Sequence, residues 1–378
     1  MEISGHFDRK FARLSDAFRE NFELRGEVGA AIALRIDGED VLSLWGGSQD
    51  LSQNLPWREN TLTNVYSTTK GVAASVIAIL ASDGLLNYED KVAKHWPEFA
   101  VSGKESVTVA MLLSHQSGLA GFRKPVSLAE LYDHKHSAET LAAMEPLWTP
   151  GTAHGYHPIT IGFLVDEVCR RVTGKGIRDL VRELLTPLCD DGVYIGCPEK
   201  ERYRAATLYA PKNLSSANVV DQILDEVQQI ALTNPLLDPE VPNTAEWRSA
   251  VIASANGFAS AKGLATLYGE LATIGVGSLS RIPISQSTLD ECLKPQADGI
   301  DKTLAVPTQW GCGFLINSLG IYGPTPTSFG HSGWGGSFAY ADPVKRLGFA
   351  YTMNQMGTDL INDPRNLALL ESLYACLD

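Results

Sequence analysis

Residues 71–81 read Gly-Val-Ala-Ala-Ser-Val-Ile-Ala-Ile-Leu-Ala, a run that is apolar on nearly every side when wound as a helix. A helix without a polar face cannot lie on a surface, so it has to run through the centre of the fold. What stands at its head is therefore of interest. Ser67 precedes Lys70 by three residues there, within Val65-Tyr66-Ser67-Thr68-Thr69-Lys70-Gly71. On a helix start that spacing puts hydroxyl and amine on one face, one turn apart. A buried lysine gives up its proton easily, and the free amine can then draw one from the serine, making a nucleophile without a histidine. Chance alone supplies one such pair in a chain with this many serines and lysines. The competing reading is a capping serine with a solvated lysine. Placement at the head of a central helix favours burial of Lys70.

The chain has 378 residues, which fits two domains or one large composite, and its 44% hydrophobic content can build a substantial core. A formal charge of −13 argues against nucleic acid or an anionic membrane surface as partner. The N-terminus carries charges where a secretory signal needs an apolar stretch, and the run near 72–81 is too short to cross a membrane. A soluble, cytoplasmic protein is expected. Six cysteines (Cys169, Cys189, Cys197, Cys292, Cys312, Cys376) are scattered without a C-x-x-C, as in reduced cytosolic chains. His134/His136 and His154/His157 lack the companion ligands of a metal site. No metal or organic cofactor is expected, and nothing in the sequence sets an oligomeric state.

Phe7, Phe11, Leu14, Phe18 and Phe22 recur at three- and four-residue steps and predict an N-terminal amphipathic helix. Two β-rich runs, 29–36 and 41–47, flank Asp37-Gly38 and predict a hairpin. Helical patterns then follow at 68–84, 107–114, 127–144, 158–173, 178–188, 219–231, 260–274 and 286–292, and strand character returns at 310–316, 337–341 and 347–353 before a last helix at 364–376. The predicted fold is α/β of the α+β kind. Residues 1–84 and 303–378 form one antiparallel sheet flanked by terminal helices, 85–302 form a largely helical lobe, and the active cleft lies between them.

The chain resembles the serine β-lactamase and penicillin-binding-protein superfamily, closest to the class C β-lactamase-like esterases called family VIII carboxylesterases. The motifs run in family order over nearly the whole length: Pro56-Trp57, Ser67-Thr68-Thr69-Lys70-Gly71, Trp96-Pro97-Glu98-Phe99, Leu112-Leu113-Ser114-His115-Gln116-Ser117-Gly118-Leu119, Pro150-Gly151-Thr152, Tyr156, Asn256-Gly257 and Gly330-His331-Ser332-Gly333. The resemblance implies that Ser67 is acylated, that Lys70 shares its proton, and that Tyr156, standing where the family has Tyr-x-Asn, completes a Lys70/Tyr156 acid–base pair with coupled titration. It also implies an oxyanion strand at 330–337. If His331-Ser332-Gly333 replaces the family's Lys-Thr-Gly, the second donor beside the Ser67 N–H is that of Trp334; if Trp334-Gly335-Gly336 is the equivalent, the donor is Ser337. The first register is favoured. A Gly-rich bulge that only bends a strand is the plain alternative.

Two departures bear on substrate. Pro158 takes the place of the Tyr-x-Asn amide, and His331 that of a permanent cation, so recognition of penicillin-like anions is weakened. Trp334, Trp310, Phe122 and Trp148 are candidates for apolar walls. No G-x-S-x-G occurs, so His331 is read as a wall residue, not part of a Ser-His-Asp triad, and His115 as structural. The expected activity is hydrolysis of small, uncharged carboxylic esters through acyl-Ser67, with weak β-lactam turnover. Acyl transfer to an alcohol, a true β-lactamase or D-alanyl-peptidase, and a non-catalytic binding protein are the alternatives.

Overall fold

The structure, a computed structural model, describes residues 2–212, 224–359 and 362–377. Its main sheet is antiparallel throughout and draws strands from both ends of the chain. β1 (Ile3–Phe7), β2 (Gly29–Ile36), β3 (Glu39–Asp50), β4 (Leu55–Pro56), β5 (Thr63–Asn64), β6 (Val193–Ile195), β7 (Gly257–Ala259), β8 (Ala297–Ile300), β9 (Pro307–Trp310), β10 (Leu315–Ile316), β11 (Phe329–Ser332), β12 (Phe338–Asp342) and β13 (Leu347–Met353) follow in chain order. The sheet order is β1-β3-β2-β13-β12-β11-β10-β9-β8, with β4 on β3, while β5-β7-β6 form a separate small sheet. The turn between β2 and β3 is the expected Asp37-Gly38, both at positive φ (52° and 82°), the twist a two-residue hairpin requires.

Strand alternation gives the sheet two different faces. One carries large side chains, among them Ile32, Leu34, Tyr340 and Phe349, and the helices Ala12–Leu24 and Pro364–Leu377 cover it with Leu14, Phe18, Leu369 and Leu373. The other carries Ala31, Ala33, Ala339, Ala341 and Ala350. Such small residues let the helix Ala261–Ala272 sit almost on the backbone: a Cβ on Gly348 would stand 2.1 Å from the Gly269 nitrogen. Beside it runs the central helix Thr69–Ser82, buried at every position from Thr69 to Leu80, as its all-round apolar surface demands.

Several elements differ from expectation. Phe7 belongs to β1 and is exposed; the helical stripe begins at Phe11. The pattern at 127–144 is two helices, Leu128–Tyr132 and His134–Ala143, because Asp133 adopts an extended backbone and caps the second with its carboxylate. The run 310–316 splits into β9 and β10 at Gly311 and Gly313, the latter at φ 89°. Of the helix expected at 219–231, Glu226–Thr233 is helical and 219–223 lie outside the described residues. Strands β1, β5, β6, β7 and β8, short and without clear alternation, went unpredicted. No helix among the described residues is long and apolar enough to cross a membrane.

Candidate active site

Ser67 sits at the turn between β5 and the central helix, and the residue before it is strained. Tyr66 has φ 42°, a left-handed backbone that a bulky side chain adopts at a cost of roughly 1–3 kcal/mol. Its surroundings hold it there. The Tyr66 hydroxyl donates to the Pro239 carbonyl (2.8 Å), and its ring packs against Trp334 (centroids 5.1 Å) and Trp247 (6.2 Å). Half-buried Ser67 is thereby presented at the N-terminal end of the helix.

Lys70, one turn on, is only 5% exposed. Its Nζ lies 3.2 Å from Ser67 Oγ, 2.8 Å from the Pro158 carbonyl and 3.0 Å from the Ser254 carbonyl. Burial drives its pKa well below the ordinary lysine value, with no carboxylate to oppose the shift. In the neutral amine the two N–H groups donate to the two carbonyls and the lone pair faces the serine hydroxyl. Asn256 braces the loop that supplies the Ser254 carbonyl, donating to the carbonyls of Trp247 and Ala250 and accepting from Ile252 N.

Tyr156 reaches the same point from the helical region. Its buried phenol lies beside Ser67, and its ring centroid lies 4.6 Å from Lys70 Nζ. Burial raises its pKa, the Ser67 contact opposes this, and the Asp301 carboxylate adds to it. Burial thus shifts Lys70 and Tyr156 each towards its neutral form. Asp301 fixes the tyrosine from behind: both carboxylate oxygens accept from Tyr156 N (2.9 and 3.0 Å), and one also accepts from the N–H groups of Thr303 and Leu304. Trp310 stacks on the Tyr156 ring at 5.6 Å and 11°, and His115 meets both rings by its edge. His115 also accepts from His157 N (3.2 Å), a bracing role.

The end of β11 closes the site. His331 is buried beside Tyr156 and Trp310. Its Nδ1 donates to the Ser332 carbonyl (2.9 Å), burial pushes its pKa down to about 3, and its Nε2 is a buried acceptor without a partner among the described residues. Ser332, next along the strand, turns by strand alternation to the face opposite His331. Gly333 lies flush against the segment before Ser67, a Cβ there falling 2.1 Å from the Val65 carbonyl. Ser337 Oγ donates to that same carbonyl (2.9 Å) and lies 3.2 Å from Thr68 Oγ1, so its side chain ties the strand to the turn. Trp334 is half-buried against Tyr66.

Ser67, Lys70, Tyr156, His331, Gly333 and Trp334 thus converge, whereas the side chains of Ser332 and Ser337 point elsewhere. Phe122 is core, packed on Phe163. Asp301, Ser254 and the Pro158 carbonyl were not read from the sequence. Asp301-Lys302-Thr303 carries the signal of a turn in which Asp accepts from the backbone, but not of its reach to Tyr156.

A family model described as Beta-lactamase matches residues 12–372. The esterase/beta-lactamase LipL of Mycobacterium tuberculosis is 33% identical over 95% of this chain and 84% of its own length. Among solved structures, a family VIII carboxylesterase superposes with TM-score 0.93 at 42% identity, covering 100% of both chains. A penicillin-binding-protein homologue from Caulobacter crescentus does so with TM-score 0.92 at 40% identity, also covering 100% of both.

Proposed function

Because this chain belongs to the beta-lactamase family, we propose that it is a serine carboxylesterase working through an acyl-Ser67 intermediate. The observation that carries the mechanism is the placement of Lys70 Nζ, whose two carbonyl partners leave its third position on Ser67 Oγ. In acylation the Ser67 proton passes to the Lys70 lone pair as Oγ attacks the ester carbon. Negative charge develops on the carbonyl oxygen, where the Ser67 N–H at the helix N-terminus and the Trp334 N–H stabilise it. The tight seat of Gly333 against Val65 supports the Trp334 register. As the tetrahedral species collapses, Tyr156 gives its proton to the leaving alkoxide, and Lys70 returns one to the phenolate. Water then loses a proton to the same pair, attacks the acyl carbon and releases acid, with Oγ reprotonated.

An ester fits better than a β-lactam. A carboxylate placed near His331 would meet a neutral ring whose free nitrogen is a lone pair, and Pro158 has no amide to offer an acylamide side chain. The family VIII carboxylesterase and LipL support the same assignment. The expected compartment is the cytoplasm, with small neutral esters as substrates. A fluorophosphonate probe is expected to label the wild type and not Ser67→Ala, and intact mass to reveal an acyl adduct with p-nitrophenyl butyrate. Labelling of Ser67→Ala, or nitrocefin turnover matching that of the ester, would overturn the reading.

A further inference from the structure

Away from the site just described, the helix Ile177–Leu180 and its continuation, the 3₁₀ segment Glu199–Arg204 and the helix Ala245–Ser249 enclose a cleft of about 810 Å³. Arg178, Arg182, Arg202, Arg248 and Lys200 line it, against only Asp191 and Glu199 as lining acids. In a chain of net charge −13 this concentration of cations runs against the overall composition. Among the described residues Asp179 pairs with Arg182 (2.9 Å), and Glu201 pairs with Lys200 (3.6 Å) and Arg204 (2.7 Å), whereas Arg178, Arg202 and Arg248 have no ion pair.

Capping of the Ala245–Ser249 helix explains part of this. Arg178 donates to the carbonyls of Ile195 (3.1 Å), Ser249 (2.7 Å) and Ala250, and Arg202 Nη2 donates to Ser249 Oγ (2.6 Å). It does not explain Arg248, which spends only Nε, on the Pro242 carbonyl (3.1 Å), and leaves its outer fork without a protein acceptor. Nor does it use Nη1 of Arg178 or Arg202. Burial, and then the neighbouring guanidinium of Arg202, make the charge on Arg248 harder to hold. The open fork of Arg248 and the spare Nη1 donors of Arg178 and Arg202 on one cleft suit a tetrahedral dianion, and Tyr194 and Pro198 beside them offer a wall for an organic group.

We propose that this cleft is a second ligand site, which binds a phosphate dianion through Arg248, Arg202 and Arg178. The source is inorganic phosphate or a phosphate monoester, which share that headgroup. Binding to the folded state alone raises the melting temperature by mass action. The test titrates the full chain with inorganic phosphate and, separately, with phenyl phosphate, by calorimetry and thermal melting against sodium chloride of equal ionic strength. Saturable stabilisation by phosphate is expected, with affinity reduced about tenfold or more in Arg248→Gln. Tighter binding of phenyl phosphate assigns the monoester, and equal binding assigns the free anion. Should Arg248→Gln melt early in phosphate-free buffer, Arg202→Gln gives the same comparison. Absence of saturation in the wild type, or undiminished affinity in both variants, overturns the proposal.

Discussion

Lys70 can make three hydrogen bonds, and what surrounds them determines its protonation state. Two backbone carbonyls accept more strongly from an ammonium than from an amine, but burial opposes the charge and lowers the pKa well below the ordinary lysine value. Lys70→Ala removes the base and Tyr156→Phe the acid, and each is expected to lower kcat by about 10²-fold or more with the fold intact, read by steady-state kinetics beside circular dichroism. A near-wild-type rate in either variant would remove that residue from the mechanism. The pH profile has a sign as well. Activity needs the unprotonated amine, so kcat/KM should fall towards acid through a pKa well below the ordinary lysine range, and the wild type should be fully active at neutral pH. A limb near the free-lysine value would contradict the burial argument. Spacing and apolar context made Ser67 and Lys70 legible because one helix turn fixes both. Ser254 and Asp301 were not, because each contributes through contacts between segments far apart in sequence: a backbone carbonyl in one case, a carboxylate accepting main-chain N–H groups in the other.

Helix and strand ends extend the argument outward. Arg365, in the first turn of Pro364–Leu377, is buried and donates to the Gly335 carbonyl (2.8 Å), to Asp363 (2.6 Å) and to Glu27 (3.2 Å); Asn366 holds the Gly336 carbonyl (2.9 Å). The C-terminal helix therefore clamps the turn that follows Gly333 and Trp334. Burial pushes the Glu27 carboxyl up to about 7 even though Arg365 pulls it down. A raised acid pKa means the folded state binds the proton more tightly than the unfolded one. The Glu27 contribution is therefore fully present below about pH 4.5 and is lost as pH rises through 7. Arg365→Met removes the cation that pairs with Glu27, and breaking such a buried pair costs about 3–5 kcal/mol when the acid is ionised. Urea unfolding is expected to show a loss of that size at pH 8 and a smaller one at pH 5, where Glu27 carries a proton. Equal losses at both values would show that Glu27 does not titrate in this range. The long periodic helices and the hairpin were readable because each carries its own pattern. The clamp was not, since it joins Glu27, Gly335 and Arg365 across the length of the chain, through a carboxylate and a backbone carbonyl that no local pattern brings together.

At the scale of the whole molecule, β-rich runs near both chain ends were legible, but β8, a strand of the main sheet within the segment 85–302, was not. The contrast between the sheet's alanine face and its aromatic face also stands in the strand sequences, but which helix each face receives is a tertiary choice. Net charge is a different kind of whole-molecule property, since it acts on a substrate before any contact forms. With −13 on the chain, an anionic ester approaches against a repulsive field that a neutral one does not feel. Raising ionic strength from about 0.01 M to about 0.15 M shortens the Debye length from about 30 Å to about 8 Å. The value of kcat/KM for 4-carboxyphenyl butyrate should therefore climb roughly threefold or more over that range, while that for 4-nitrophenyl butyrate stays level. If both respond alike, salt acts on the enzyme and not on the encounter. If neither responds, local groups around Ser67 offset the global field, and His331, neutral and presenting a lone pair, would then be the remaining source of discrimination against carboxylates.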